Sequence, residues 1–191
     1  MALHPAENRG YRELYAFARR LGDHWAALAA RLPASPASSA LADGARTTER
    51  LIEELEPLTA AHGLHGHPAA QGLGASLGVG RSFVRDRFLE RNQAVRYAVA
   101  DAALVRALLG YLAAVSKASG NADLADFSAR WERELGTLDA AARSAAAELG
   151  SDPDGAIEPV DGSPIGRAAH GMGYAAGAAG EWFDRQASKR L

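Results

Sequence analysis

The chain has 191 residues, no cysteine, 48% hydrophobic and 23% charged residues, and a formal net charge of −2. This length predicts one domain with a sizeable core, and the absence of thiols excludes disulfides, thiolate zinc sites and iron–sulfur clusters. We therefore expect a cytoplasmic globular protein with no secretory leader and no membrane span, and the near-neutral charge argues against a nucleic-acid partner.

The first part of the chain predicts two amphipathic helices. Apolar residues recur at spacings of three and four from about Tyr11 to Leu32, which is typical of a helix with one apolar face. After a break rich in proline and serine, Ser35 and Pro36 form a start signal for the second helix. Pro57 is expected to kink or end that helix.

Residues 62–81 are rich in glycine and histidine and lack a helical period, so we expect an irregular segment. Within it, residues 75–82 nearly match a phosphate-binding loop. They lack its first glycine and its lysine and follow no predicted β-strand, so no nucleotide is expected. His62, His65 and His67 are candidate metal ligands, because imidazoles commonly bind zinc, copper and nickel. Solvated loop histidines are the alternative, since no cysteine accompanies them.

The second part of the chain predicts further helices at about 82–92, 93–119, 122–149 and from Pro164 onward. The expected organisation is a helical bundle core over residues 1–150, a turn-rich linker at 151–163, and a Gly/Ala-rich helix over 164–191. The predicted fold class is therefore all-α, a single up-and-down bundle of four to five helices.

Asp101 is the main candidate for a buried polar residue. A helical wheel over residues 93–119 places it within an apolar arc formed by Tyr97, Leu104, Val105, Leu108, Tyr111, Leu112 and Val115. A carboxylate in a core is costly unless it is paired or hydrogen-bonded. Asp101 is thus either an inward-facing functional carboxylate or a structural one bonded to a Tyr, Trp or Arg of a neighbouring helix. Glu134 is a similar candidate in the following helix.

Four glycines form a stripe along the last predicted helix, Gly166, Gly173, Gly177 and Gly180. They flank a heptad-like apolar seam made of Ile165, Ala169, Met172, Ala176, Ala179 and Phe183. A glycine inside a helix costs about 1 kcal/mol relative to alanine, so the stripe indicates close approach of another backbone. We expect this helix to pack on the bundle or on a second subunit, which favours a homo-oligomer. A frayed tail is the alternative.

Three segments, TTERLIEEL, NQAVRYAVADAALVRALLGYLAAV and NADLADFSARWERELGTLDAAA, lie in roughly half of the chain. This half resembles the ferritin-like domains of the bacterial stress-response type. The resemblance implies a ferritin-like bundle, in which glutamates and Glu-x-x-His pairs hold two metal ions. The chain contains no Glu-x-x-His, and only Asp101, Tyr111 and Glu134 match positions of interest. The resemblance therefore implies a bundle without the di-metal ligand set.

These features predict no cofactor and a non-catalytic bundle protein that acts through association, as a homo-oligomer or with a protein partner. Two other functions stay open. One is a metal-dependent oxidoreductase or metal-binding protein that uses the bundle carboxylates or the loop histidines. The other is a binder of a small apolar ligand in a core lined by Trp25 and Trp131.

Overall fold

The computed structural model describes residues 3–64 and 89–188, with the side chains of the last helix described in part. Over these residues the protein is all-α, as predicted. Its six helices are α1 (Pro5–Arg31), α2 (Pro36–Ala60), α3 (Arg91–Ala118), α4 (Ala122–Leu149), α5 (Pro153–Ala156) and α6 (Pro164–Ser188).

Local signals explain where the helices begin and end. α1 begins at Pro5, six residues earlier than predicted. The His4 ring accepts a backbone hydrogen bond there, and Glu7 accepts one from the His4 amide, which together form a capping box. Ser35 caps α2 in the predicted way. Pro57 lies inside α2 and does not end it at once. The helix continues for three more residues, to Ala60.

α1 to α4 form a four-helix bundle in which α1 and α4 each pack against both α2 and α3. Trp25 and Trp131 are fully buried in its core, as expected. The Trp25 ring lies over Gly44 of α2, and its indole N–H donates to the Ala98 carbonyl of α3 at 3.1 Å. Small residues at these crossings let the helices approach closely.

The bundle does not alternate simply up and down. The start of α1 lies at the ends of both its neighbours, because Tyr11 bonds Ser116 near the end of α3 and Tyr15 bonds Thr59 near the end of α2. α2 and α3 are therefore both antiparallel to α1 and parallel to each other. The chain leaves α2 at one end of the bundle and enters α3 at the other, so one crossover replaces the expected up-and-down succession.

The predicted linker, residues 151–163, contains α5 and is bonded to the start of α3. The Arg91 amide donates to the Glu158 carbonyl at 2.9 Å, and the Val160 amide donates to the Leu89 carbonyl at 3.2 Å. Asn92 also reaches this segment through its side chain. We call this contact between residues 89–92 and 156–160 the clasp. Because of the clasp, the segment before α6 is packed against the end of the bundle and is not a flexible linker.

Candidate functional site

Asp101 lies at the border between α3 and α1, not inside the apolar core as the helical wheel predicted. Its side chain is 25% exposed, and its carboxylate lies 3.1 Å from His24 Nδ1 and 3.9 Å from Arg20 Nη2. Both partners belong to α1, and the His24 side chain is only 4% exposed. The arrangement is that of a structural carboxylate bonded to a neighbouring helix, with the expected arginine and an additional histidine.

The buried face of α3 differs from the predicted arc. Its buried residues are Ala94, Val95, Ala98, Val99, Ala102, Val105, Leu109, Leu112 and Ser116. Tyr97, Leu104 and Tyr111 are instead 45%, 50% and 50% exposed. α3 is apolar on opposite sides, so its hydrophobicity does not select the inner face. Ala98 on the buried face lies against α1, where the Trp25 indole N–H donates to its backbone carbonyl. The prediction of Tyr111 as a buried polar residue is wrong.

Glu134 belongs to an ion pair on the surface between α2 and α4 and is not a buried carboxylate. Its Oε1 accepts from Arg50 Nη2 at 2.6 Å, and the side chains of Glu134 and Arg50 are 34% and 56% exposed. Arg50 also lies over the Trp131 ring, 5.8 Å from its centroid. Exposed pairs of this kind contribute roughly 0–1 kcal/mol. Glu134 thus helps to join two helices and does not point into the bundle.

The histidine prediction falls mostly outside the described chain. His62 lies just after α2, whereas His65, His67 and residues 75–82 are outside the described residues. Within the two described stretches, no group of three or more histidine or acidic side chains is placed to hold a metal ion. The loop histidines therefore stay a prediction.

Only part of the glycine stripe of α6 contacts other residues of the same chain. Gly166 is buried against Asp161 of the preceding turn. Gly173 is exposed, and a Cβ added at Gly180 would meet no atom within 4 Å. The surroundings of Gly177 lie outside what the structure describes. Among the side chains of α6 that the structure describes, four large apolar ones are exposed: Ile165 (71%), Met172 (65%), Tyr174 (70%) and Trp182 (56%).

A buried carboxylate that the sequence analysis missed lies at the start of α1. Glu7 is fully buried, and its two oxygens accept from Asn121 Nδ2 at 2.8 and 2.9 Å. One of them also accepts from the His4 amide at 2.9 Å. Burial raises the pKa of Glu7, but hydrogen bonds from Asn121, the His4 backbone, Ser116 and Ser119 together outweigh it and hold the pKa below its ordinary value. The Glu three residues after His4 is a capping-box signal that could have located it.

Tyr11 continues this polar cluster across the bundle. Its hydroxyl lies 2.9 Å from Ser116 Oγ and 3.0 Å from Ser128 Oγ, and it donates to the Leu124 carbonyl at 3.1 Å. Burial raises the pKa of Tyr11, so its hydroxyl stays protonated. A cleft of about 500 Å³ adjoins the cluster, lined by His4, Ala6, Val115, Ala118, Ser119 and Asn121. The groups of the cluster satisfy one another, which is the arrangement of a structural network.

α3 is the one helix of the described residues that is long and apolar enough to cross a membrane, with an 18-residue window of mean hydropathy 1.7 that is 33% buried. No stretch of this length was expected from the sequence. Length and composition are weak evidence for a membrane span, because core helices of soluble proteins can be equally long and apolar. Two charged side chains near the middle of α3 are paired with neighbouring helices, Asp101 with α1 and Arg106 with Glu132 and Asp139 of α4.

In comparisons with known proteins, no protein-family model, curated protein or solved structure matches the chain.

Proposed function

We propose that the chain is a non-catalytic, ferritin-like helical-bundle protein of the cytoplasm that works by association with further copies of itself through α6. One observation carries this proposal: large apolar side chains in the first half of α6 face solvent. Ile165 and Met172 of the heptad seam are 71% and 65% exposed, and Gly173 beside them is exposed as well. Large apolar side chains exposed on one helix are typical of an interaction site.

The helix directions support the ferritin-like part of the proposal. Ferritin-like bundles contain one long crossover connection, and the parallel pair α2 and α3 requires one here. The carboxylates that were candidates for chemistry support the non-catalytic part. Asp101 is engaged by His24 and Arg20, and Glu134 is engaged by Arg50.

Replacing Gly173 with leucine tests the association. A leucine side chain would hold an approaching backbone away from the stripe, so the variant Gly173→Leu should halve the mass of the assembly in light scattering. The matched control is Gly171→Leu, two residues away on another side of the same helix, where an added Cβ meets nothing within 4 Å. The control should keep the mass of the wild type. A monomeric wild type, or an unchanged mass for Gly173→Leu, would overturn the proposal.

A further inference from the structure

The outer face of α3 is an apolar stripe without charge. Its exposed residues, besides Gly110, recur at alternating spacings of three and four: Tyr97, Ala100, Leu104, Ala107, Tyr111 and Ala114. In α3, which the structure describes throughout, no exposed residue between Arg96 and Lys117 carries a charge. Alternating spacings of three and four are typical of a coiled-coil seam, whereas the outer face of a helix in a monomeric protein is normally polar.

The charged residues of α3 leave this stripe clear. Asp101 is drawn to one side by His24 of α1. Arg106 is drawn to the other side, where it lies 2.9 Å from Glu132 and 3.0 Å from Asp139 of α4. Two copies could therefore bring their stripes together without burying an uncompensated charge, which is the main electrostatic cost of such a contact.

Side-chain size alternates along the stripe in a self-complementary way. The large residues are seven apart, at Tyr97, Leu104 and Tyr111, and an alanine follows each of them three residues later. If two α3 helices cross antiparallel, Leu104 of one copy meets Ala107 of the other. In the same register, Tyr97 meets Ala114 and Tyr111 meets Ala100, so every contact pairs a large residue with an alanine. A parallel arrangement would place large residues together and alanines together, which packs poorly.

The surface available is sufficient for a reversible contact. Tyr97, Leu104 and Tyr111 are about half exposed, which corresponds to roughly 100 Å² each. With the alanines and Gly110, two copies would bury on the order of 1,000 Å², the lower limit for a specific interface. An interface of this size is expected to dissociate on dilution.

From the charge-free face, the alternating sizes and the area, we infer that α3 forms a two-fold antiparallel contact with α3 of a second copy. This inference rests on the proposed self-association and adds a second interface to that of α6. Two different two-fold contacts on one chain build a tetramer when their axes cross at right angles. Breaking either contact alone should then halve the mass, and breaking both should give monomers.

The first experiment is sedimentation velocity over a concentration series with the variant Leu104→Glu. The variant should halve the mass and leave the circular dichroism unchanged, because Leu104 is half exposed. The matched control is Ile157→Glu, whose side chain is 52% exposed outside α3 and whose mass should equal that of the wild type. The double variant Leu104→Glu/Gly173→Leu should be monomeric.

The outcomes separate the two interfaces. A change with Gly173→Leu but none with Leu104→Glu would overturn the α3 contact and leave the proposed function standing. A change with Leu104→Glu alone would support the α3 contact and reject the α6 contact. A monomeric wild type would overturn both. Binding of the wild type to phosphatidylcholine vesicles that Leu104→Glu abolishes, with no difference in mass, would overturn the contact in favour of a lipid surface.

The second experiment tests the register and uses the absence of cysteine from the chain. Leu104→Cys and Ala107→Cys chains are mixed and oxidised, and the products are separated on a non-reducing gel. The mixture should form disulfide-linked dimers faster than either variant alone. Equally rapid linking of Leu104→Cys to itself would indicate a parallel contact and would overturn the antiparallel arrangement.

Discussion

Replacing Gly44 with alanine should destabilise the protein even though alanine is the better helix former. Gly44 lies in the interior of α2, where Gly→Ala normally stabilises a helix by about 1 kcal/mol. At this position an alanine Cβ would overlap atoms Cζ3 and Cε3 of the Trp25 ring. Trp25 is 1% exposed and cannot move aside without disturbing the core around it.

The size of the effect follows from three contributions. Overpacking of a well-packed core costs about 1–3 kcal/mol, and this site belongs to the upper end because the overlap is with a rigid ring. Displacing Trp25 also strains its hydrogen bond to the Ala98 carbonyl, a contribution of about 1 kcal/mol. After subtraction of the helix-propensity gain, the free energy of unfolding should fall by about 2–3 kcal/mol.

Urea denaturation followed by circular dichroism measures this change. With an m-value of about 2 kcal/mol/M, the midpoint of Gly44→Ala should fall by roughly 1 M. The matched control is Gly22→Ala in α1, on the same helix–helix interface, where a Cβ would make an ordinary contact with Thr48 at 3.5 Å. The control should be as stable as the wild type or slightly more stable. A Gly44→Ala variant that behaves like Gly22→Ala would refute the placement of the Trp25 ring over Gly44.

Two further substitutions test the buried acids. Glu7→Gln should lower the free energy of unfolding by about 1–3 kcal/mol at neutral pH in urea titrations. Because the pKa of Glu7 is lowered in the folded state, its stabilisation is complete above the ordinary glutamate pKa and is lost as the pH falls through the folded-state pKa. The loss of unfolding free energy in Glu7→Gln should therefore become smaller in acid. A loss that does not change with pH would contradict this. Asp139→Asn should cost about 1–3 kcal/mol, because Asp139 is 5% exposed and accepts from Arg106 and Arg143. The exposed Asp126→Asn in the same helix should cost little, and an equal loss in both variants would be the contrary result.

Periodicity and cap signals predicted the four long bundle helices and α6, because both are local properties of the chain, but they missed the first six residues of α1 and the short helix α5. α4 and α6 begin at the predicted residues, and Ser35 starts α2 as expected. The same reasoning failed on the orientation of α3. A helix that is apolar on two opposite sides offers two possible inner faces, and the choice depends on how closely its neighbour approaches. For α3, the indole of Trp25 in α1 decides it through the Ala98 carbonyl.

The polar contacts of the bundle could not be predicted for a different reason. Tyr11 and its partners Ser116 and Ser128 are separated by 105 and 117 residues, and His24 is 77 residues from Asp101. No local pattern links residues so far apart in sequence. The directions of α3 and α4 relative to α1 bring them together, and neither cap signals nor hydrophobic periodicity determine those directions.

The clasp has a consequence for the order in which the protein folds as it is synthesised. The Leu89 carbonyl and the Arg91 amide find their partners at Val160 and Glu158, about 70 residues later in the chain. α1 and α2 can pair while the ribosome is still making α3. The start of α3 gains the hydrogen bonds of the clasp only after residue 160 has been made, and closing this long loop adds its own entropic cost. A segment made about 70 residues later therefore completes the hydrogen bonding at the start of α3.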